Sequence, residues 1–215
     1  MEMLLIALPV LIFSVVVHEF AHGWVARTQG DNTAAMLGRL TLNPIPHLDP
    51  LGSVLVPGLL AWVGAPILGW AKPVPVNPRN FRDYKRGDIL VSLAGVAANF
   101  ALAVIFTIIL AIVARVIGGV SGPGTIPPVV LQMLLFGIQI NFVLILFNLL
   151  PIPPLDGSHV FYHLLPPDLG ARYRDVGRYG MLILFGLLYL GGFRFLLAPV
   201  RWMTATALSI AGLGM

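Results

Sequence analysis

Long apolar runs separated by short polar segments make up most of the chain. The first run covers residues 3–25, and two more cover residues 89–118 and 129–150. A transmembrane helix needs about 20 mostly apolar residues to cross the hydrocarbon core of a bilayer, and each run is long enough. Residues 179–213 hold two further apolar runs, which part near Arg194. The pattern predicts an all-α polytopic membrane protein with about five spanning helices.

Two segments between the first and second runs depart from this helical pattern. Residues 51–71 are apolar, but Pro57, Pro66 and nearby glycines interrupt them, and such residues disfavour one straight helix. We therefore predict a broken re-entrant segment there, with a full span as the alternative. Residues 34–46 lie between turn-forming residues, and we expect a short β-hairpin in this stretch.

The composition narrows the class of protein. Of the 215 residues, 58% are hydrophobic and only 10% are charged, whereas a soluble domain has about 45–50% apolar and about 25% charged residues. So few charges cannot cover a water-facing surface, which excludes soluble globular enzymes, and the chain is too apolar for disorder. Because cysteine is absent, disulfides, thiolate zinc sites, iron–sulfur clusters and cysteine nucleophiles are excluded as well.

The basic residues fit membrane topology better than nucleic-acid binding. The formal net charge is +4, and the lysines and arginines lie between the apolar runs. If residues 51–71 re-enter without crossing, ten of the 13 basic residues fall on one membrane face, whereas a full span leaves eight there. The larger bias marks the cytoplasmic face. We therefore expect a multi-pass cell-membrane protein in a lipid bilayer, with its N-terminus outside and no nucleic acid partner.

A short motif near the end of the first apolar run carries chemistry. Residues 18–22 read His-Glu-Phe-Ala-His, so His18 and His22 are four positions apart and share one face of a helix. Both imidazoles can then reach one metal ion, and Glu19 can reach a metal-bound water. The alternative is a pair of helix-end histidines that bond to loop carbonyls. Ionisable groups in a lipid-embedded helix are costly, which favours the functional interpretation.

A catalytic zinc ion also needs a third protein ligand and an open fourth position. Asp156 is a candidate because it follows a helix end, prolines hold the chain before it, and Gly157 comes next. The alternative role for Asp156 is the N-cap of a short helix over residues 155–165. His159, three residues later on the same face, is a rival ligand, and His163 is a weaker one. The spacing alone leaves these alternatives open.

Three motifs occur in an order that points to one family. The first is H-E-F-A-H at residues 18–22, the second is A-G-x-x-x-N with Gly95 and Asn99, and the third is N-x-x-P-x-P-P-L-D-G from Asn148 to Gly157. Together they resemble the site-2 protease family of intramembrane zinc metallopeptidases, in a compact form without a PDZ-like or nucleotide-sensing domain.

The resemblance implies a single membrane-embedded peptidase domain over residues 1–215. It implies that His18, His22 and Asp156 bind one Zn²⁺ and that Glu19 is the catalytic acid and base. The implied activity is regulated intramembrane proteolysis, the hydrolysis of peptide bonds within or near the transmembrane segments of substrate proteins. The active site is then expected towards the cytoplasmic face.

Further candidates surround this expected site. Asn148 matches a family asparagine thought to bind the substrate backbone or steady the oxyanion, and its alternative role is to satisfy its own helix backbone. Gly95 and Asn99 match a motif on the helix beside the site, where simple helix–helix contact is the alternative. His47 and Asp49 are candidates for a polar path to the site, although a turn with an Asp before a Pro explains them equally well.

Two other functions stay open as alternatives. A membrane zinc transporter or sensor would place ionisable residues at the centres of several helices. The middle helices instead offer mostly amides, namely Asn99, Gln132, Gln139 and Asn141. An inactive scaffold of the same fold is the second alternative, and the presence of Glu19 argues against it.

Overall fold

The computed structural model describes residues 2–55, 59, 62, 71–117 and 127–213. The chain divides into two compact units. One, which we call the loop unit, is Val15–Gly95; the other, the helix unit, consists of Met1–Ser14 and Val96–Met215. Every regular element in the described part is helical, and no strand occurs there. The predicted all-α class is therefore confirmed.

Eight α-helices lie within the described residues. They are α1 (Glu2–Thr28), α2 (Thr33–Met36), α3 (Tyr84–Ile117), α4 (Pro128–Asn148), α5 (Asp156–Leu164), α6 (Pro167–Val176), α7 (Gly180–Tyr189) and α8 (Leu197–Ile210). Short 3₁₀ turns occupy Ile45–His47, Pro78–Asn80, Gly177–Tyr179 and Gly192–Leu196, and a π-helical turn occupies Pro50–Leu55.

Three helices in the described part are long and apolar enough to cross a membrane. They are Ile6–Thr28 within α1, all of α3 and all of α4. These match the first three runs expected from the sequence. α3 has 34 residues, which at 1.5 Å per residue is about 50 Å, longer than the hydrocarbon core of about 30 Å.

The predicted count of about five spanning helices is not confirmed. α7 has 10 residues and α8 has 14, and both are shorter than the roughly 20 residues that a span requires. Gly191 lies between them in the left-handed conformation, with φ 70°, which ends a helix because glycine has no side chain to clash there. The two apolar runs over residues 179–213 therefore part at Gly191, close to the expected point, and each forms a short helix.

The β-hairpin predicted over residues 34–46 is not found. This stretch instead contains α2, a turn at Gly38 with φ 66°, and the start of a 3₁₀ turn. Short-range hydrogen bonds satisfy the backbone here: the Asn43 side-chain oxygen accepts the N–H of Ile45, and the backbone N–H of Arg39 donates to the carbonyl of Ala34. Such local bonds compete with the ladder between two strands.

Most of the predicted re-entrant segment over residues 51–71 lies outside the described residues. At its start, Pro50–Leu55 forms the π-helical turn. The side chain of Asp49 caps that turn by accepting the N–H groups of Leu51 and Gly52, at 2.9 and 2.7 Å. Asp49 thus does what the turn interpretation predicts.

The core of the helix unit lies among α3, α4 and α8. Leu110, Ile138 and Val200, one from each helix, are buried in one apolar cluster. Ile105 and Ile112 on α3 are 48% and 54% exposed. A helix facing water normally carries polar residues on its exposed side, so this apolar surface is suited to lipid contact.

A chain of hydrogen bonds also lies inside the helix unit. The Asn99 side-chain N–H₂ donates to the Asn141 side-chain oxygen at 2.7 Å, and Asn141 donates to the Ser14 hydroxyl at 3.0 Å and to the Gly137 carbonyl at 2.8 Å. The side chains of Ser14, Asn99 and Asn141 are fully buried. Bonds of this kind join helices within membranes, which supports the helix-contact interpretation of Asn99.

Asp31 joins separate loops of the loop unit. Its carboxylate accepts hydrogen bonds from the backbone N–H and hydroxyl of Thr33, the backbone N–H of Asn77 and the side chain of Asn80. Burial acts to raise the pKa of Asp31, but these hydrogen bonds outweigh it and hold the pKa below its usual value. The loop after α1 and the loop before α3 are thereby fixed to one carboxylate.

Candidate metal centre

Two imidazoles face each other on the C-terminal half of α1. His18 and His22 are four residues apart, and both are buried, at 6% and 8% exposure. Their Nε2 atoms lie 3.0 Å apart, and their rings meet edge to face with centroids 4.6 Å apart. The helical spacing expected from H-E-x-x-H therefore brings the two nitrogens to one point.

The second nitrogen of His22 is held by α3. Its Nδ1 lies 2.7 Å from the carbonyl oxygen of Val91, and only a protonated Nδ1 can donate there. In the neutral ring, Nε2 then carries a lone pair, which is the form of imidazole that binds a metal ion. A histidine that donates its other N–H to a backbone carbonyl is a frequent arrangement at metal sites.

Gly95 on α3 leaves the space that these imidazoles fill. A Cβ atom added to Gly95 would lie 2.5 Å from Nε2 of His22 and 2.6 Å from Nδ1 of His18. Real Cβ atoms essentially never show such distances, and the obstacles are rings rather than flexible side-chain ends. The lack of a side chain at Gly95 therefore makes room for both imidazole rings.

Glu19 lies next to His18 and is half-buried. Its Oε2 accepts the backbone N–H of Val74 at 2.7 Å. The sequence motif identified Glu19, but it gave no signal for Val74, which is 55 positions away.

Asp156 is the first residue of α5 and is half-buried. Leu155 occupies the N-cap position, so the N-cap role weighed for Asp156 is not the one it has. A Cβ on Gly157 would overlap the backbone of Leu149 and lie 2.8 Å from the Leu150 carbonyl oxygen. Only glycine allows α5 to begin this close to the end of α4, and this packing fixes the position of Asp156.

A His-His-Asp group is positioned to bind a metal ion. It consists of His18 and His22 of the loop unit and Asp156 of the helix unit. The rival ligand His159 is exposed and His163 is half-buried, and neither belongs to this group. Two imidazole nitrogens and one carboxylate oxygen are a donor set that suits zinc and leaves a fourth position open.

Asn148 stands at the C-terminal end of α4 and is half-buried. Its side-chain N–H₂ donates to the carbonyl of Leu144, four residues earlier, at 2.9 Å. This bond is the one that the backbone-satisfying alternative requires. An amide N–H₂ has two hydrogens, so the second one stays available for another acceptor.

His47 is 2% exposed, and its Nε2 lies 2.9 Å from the carbonyl of Thr41. Its own carbonyl accepts the N–H of Lys72. These contacts join two loops, as expected of a histidine buried for structural reasons.

Comparisons with known proteins support this chemistry. The model of Peptidase family M50 matches residues 115–189, the part of the chain that includes Asn148 and Asp156. The relative "Putative zinc metalloprotease YwhC" of Bacillus subtilis is 42% identical over 173 residues, which is 80% of this chain and 75% of the relative. No solved structure matches the chain significantly.

More distant relatives carry a similar description. "Putative zinc metalloprotease Rip2" of Mycolicibacterium smegmatis is 29% identical over 179 residues, which is 82% of this chain and 64% of the relative. Rip2 of Mycobacterium tuberculosis H37Rv is 30% identical over 174 residues, which is 81% of this chain and 62% of the relative. The chain thus spans less than two thirds of these mycobacterial proteins. With the match to YwhC over three quarters of that protein, these findings show that the chain belongs to Peptidase family M50 and confirm the resemblance to site-2 proteases.

Proposed function

We propose that this chain is an intramembrane zinc metalloprotease, which hydrolyses peptide bonds within or near the transmembrane segments of substrate proteins. One observation carries the proposal: two neighbouring imidazoles and a carboxylate form a candidate metal group, and Glu19 follows the first imidazole directly in sequence. Three apolar helices of spanning length support a bilayer as the surroundings.

In this proposal, His18, His22 and Asp156 hold one Zn²⁺ per chain. Bound zinc polarises a carbonyl and lowers the pKa of a water ligand towards neutrality. The Val91 carbonyl accepts the Nδ1–H of His22 and so keeps His22 in the metal-binding tautomer. The room left by Gly95 lets both rings turn towards one point. Gly157 allows the close packing that brings Asp156 to the start of α5.

Glu19 serves as the acid and base of the reaction. Its carboxylate accepts a proton from the attacking water and then delivers that proton to the leaving amine. The Val74 N–H occupies Oε2, which leaves Oε1 for the water. Asn148 has the smaller role: the N–H that is not bonded to Leu144 donates to the developing oxyanion.

The substrate must present a peptide carbonyl that a helix would hide. In a helix each carbonyl accepts a hydrogen bond from the residue four positions later, and within lipid these bonds are strongly favoured. We therefore propose that a single-span substrate helix enters from the bilayer and unwinds locally before cleavage.

We further propose that the active site lies towards the cytoplasmic face, with the N-terminus outside. The support is the distribution of basic residues: of the eleven up to Arg178, ten fall on one face and Arg115 on the other if residues 51–71 do not cross. With the N-terminus outside, the three crossings by α1, α3 and α4 put Asp156 on the cytoplasmic side.

The experiment that tests the function compares the wild-type protein with Glu19→Gln in proteoliposomes that contain a single-span reporter. We expect both proteins to bind about one zinc ion per chain, because Glu19 is not a ligand. Cleavage should fall by about 100-fold or more, because general-base catalysis contributes about that much. An unchanged cleavage rate in Glu19→Gln, or a wild-type protein that cleaves nothing and holds no zinc, would rule the proposal out.

A further inference from the structure

We propose that the backbone N–H of Val74 is a positioning group that orients the Glu19 carboxylate for proton transfer. The proposal rests on the function proposed above, because it concerns the catalytic residue of that site. Its basis is the 2.7 Å hydrogen bond from Val74 N to Glu19 Oε2. Bonds from an N–H to an ionised carboxylate are shorter and stronger than those between neutral groups.

The segment that carries this N–H is stiff by its composition. Residues 71–77 have no helix or turn assigned, and Pro73 and Pro75 stand on either side of Val74. Proline fixes its own φ and restricts the residue before it to extended conformations. Because proline has no N–H, Val74 is also the one backbone donor among residues 73–75, and that donor is directed to Glu19.

Both ends of the segment are anchored within the loop unit. At the start, the Lys72 N–H donates to the His47 carbonyl at 2.9 Å, and the Arg39 side chain donates to the Lys72 carbonyl at 3.0 Å. At the end, the Asn77 N–H donates to the Asp31 carboxylate at 2.7 Å. The segment around Val74 is therefore held by contacts with Arg39, His47 and Asp31 that do not involve Glu19.

The side chain of Val74 fits against the helix face that carries Glu19. Gly23 is one helical turn beyond Glu19, and a Cβ atom on Gly23 would lie 2.9 Å from Cγ1 of Val74. Val74 itself is 7% exposed. A glycine at residue 23 thus permits the close approach of the segment that brings the Val74 N–H to the carboxylate.

This arrangement gives the two carboxylate oxygens of Glu19 different tasks. Oε2 is held by the backbone N–H of Val74, and in the proposed reaction Oε1 accepts the proton. Loss of the N–H should leave zinc and substrate binding intact and slow the chemical step, because a loosened base spends less time in the reactive geometry.

The test removes the N–H while it keeps the segment extended. Val74→Pro lacks the donor, and Val74→Ala keeps the donor but loses the packing against Gly23. In proteoliposomes we expect Val74→Pro to lower kcat by about 10- to 100-fold, with KM and zinc affinity within about twofold of wild type. Val74→Ala, which keeps the donor, should lower kcat clearly less than Val74→Pro does. Replacement of the Val74 amide by an ester, through incorporation of the hydroxy acid, removes the donor without a ring and covers the case in which Val74→Pro does not fold.

A second measurement does not depend on activity. In metal-free protein, the infrared carboxylate band that disappears in Glu19→Gln should shift in the ester variant and stay in place in Val74→Ala. Wild-type kcat in the folded ester variant would overturn the proposal, and so would a raised kcat, which would make the contact a restraint on catalysis. Failure of the protease function itself is distinguishable, since the wild-type protein would then show no cleavage.

Discussion

Two carboxylates of the loop unit, Asp31 and Glu19, differ in the number of hydrogen bonds that they accept from the protein. Asp31 is 1% exposed and accepts hydrogen bonds on both oxygens from Thr33, Asn77 and Asn80. Glu19 is half-buried, and its described bond is the one from Val74. One carboxylate is saturated with donors, and the other keeps an oxygen for further contacts.

This difference distinguishes a carboxylate that holds loops together from one that can transfer a proton. A carboxylate whose lone pairs are occupied by backbone and amide donors fixes loops but cannot take up a proton without the loss of those bonds. A carboxylate beside two buried imidazoles, with one oxygen held and one available, is suited to proton transfer. In the helix unit, Asn141 resembles Asp31, because its amide donates both hydrogens, to Ser14 and to Gly137.

The largest effect in this comparison is expected from Gly95→Ala. The added methyl group would lie 2.5 Å from Nε2 of His22, so the ring must move away from the metal position. We expect zinc affinity to fall by at least 10- to 100-fold, as when groups that orient metal ligands are lost, and cleavage to fall with it. Zinc titration against a competing chelator and the reporter assay measure both.

A matched control is Gly186→Ala on α7. A Cβ atom at Gly186 meets nothing within 4 Å, so the same chemical change should leave zinc affinity and cleavage unchanged. If Gly95→Ala also bound zinc as tightly as wild type, the imidazoles would not depend on the space at Gly95. The proposed difference between the imidazole site beside Gly95 and the fully hydrogen-bonded carboxylate of Asp31 would then be wrong.

The sequence predicted the members of the site better than the groups that place them. His18, Glu19 and His22 follow from helical spacing, which is a local rule. The contact of His22 with Val91 joins residues 69 positions apart, and no local pattern encodes such a distance. The last two apolar runs were expected to part near Arg194, and the turn at Gly191 lies close to that point. The helices on either side of the turn have 10 and 14 residues, a length that the apolar pattern did not predict.

The second prediction concerns the third ligand. Asp156→Ala should lower zinc affinity by about 10-fold or more, because it removes one of three protein donors. His159→Ala is the matched control from the next turn of α5 and should leave zinc affinity unchanged, since the exposed His159 is outside the His-His-Asp group. The opposite result, an unchanged site in Asp156→Ala and a weakened one in His159→Ala, would transfer the role to His159.

The loops show why the rest of the fold was harder to predict. Asp31 reads in sequence as part of a turn, Gly-Asp-Asn, and its partners Asn77 and Asn80 are 46 and 49 positions away. The hairpin expected over residues 34–46 failed for a related reason, because short-range bonds such as that of Asn43 satisfy the backbone without a second strand. Hydrogen bonds between residues that are far apart in sequence produce no periodic pattern of residue types.

The third prediction concerns Asp31, the carboxylate that accepts hydrogen bonds on both oxygens. Asp31→Asn replaces one acceptor oxygen by an N–H₂ group, which must then face the N–H of Asn77 or the donors from Thr33 and Asn80. We expect the free energy of unfolding in detergent to fall by about 1–3 kcal/mol, the usual cost of a lost partner for a buried donor. Asp175→Asn, at an exposed carboxylate paired with Arg178, should change it by less than about 0.5 kcal/mol.

The pH dependence of that difference tests its cause. The pKa of Asp31 is lower in the folded protein than its usual value, so the folded state favours the ionised form. The stabilisation is therefore complete above the unfolded pKa of about 3.9 and is lost as the pH falls through the folded pKa. The gap between wild type and Asp31→Asn should stay constant from about pH 7 to pH 5 and narrow only below about pH 4. If the gap narrows near pH 6 instead, histidine titration is the cause, and the ionised carboxylate of Asp31 does not provide the stabilisation.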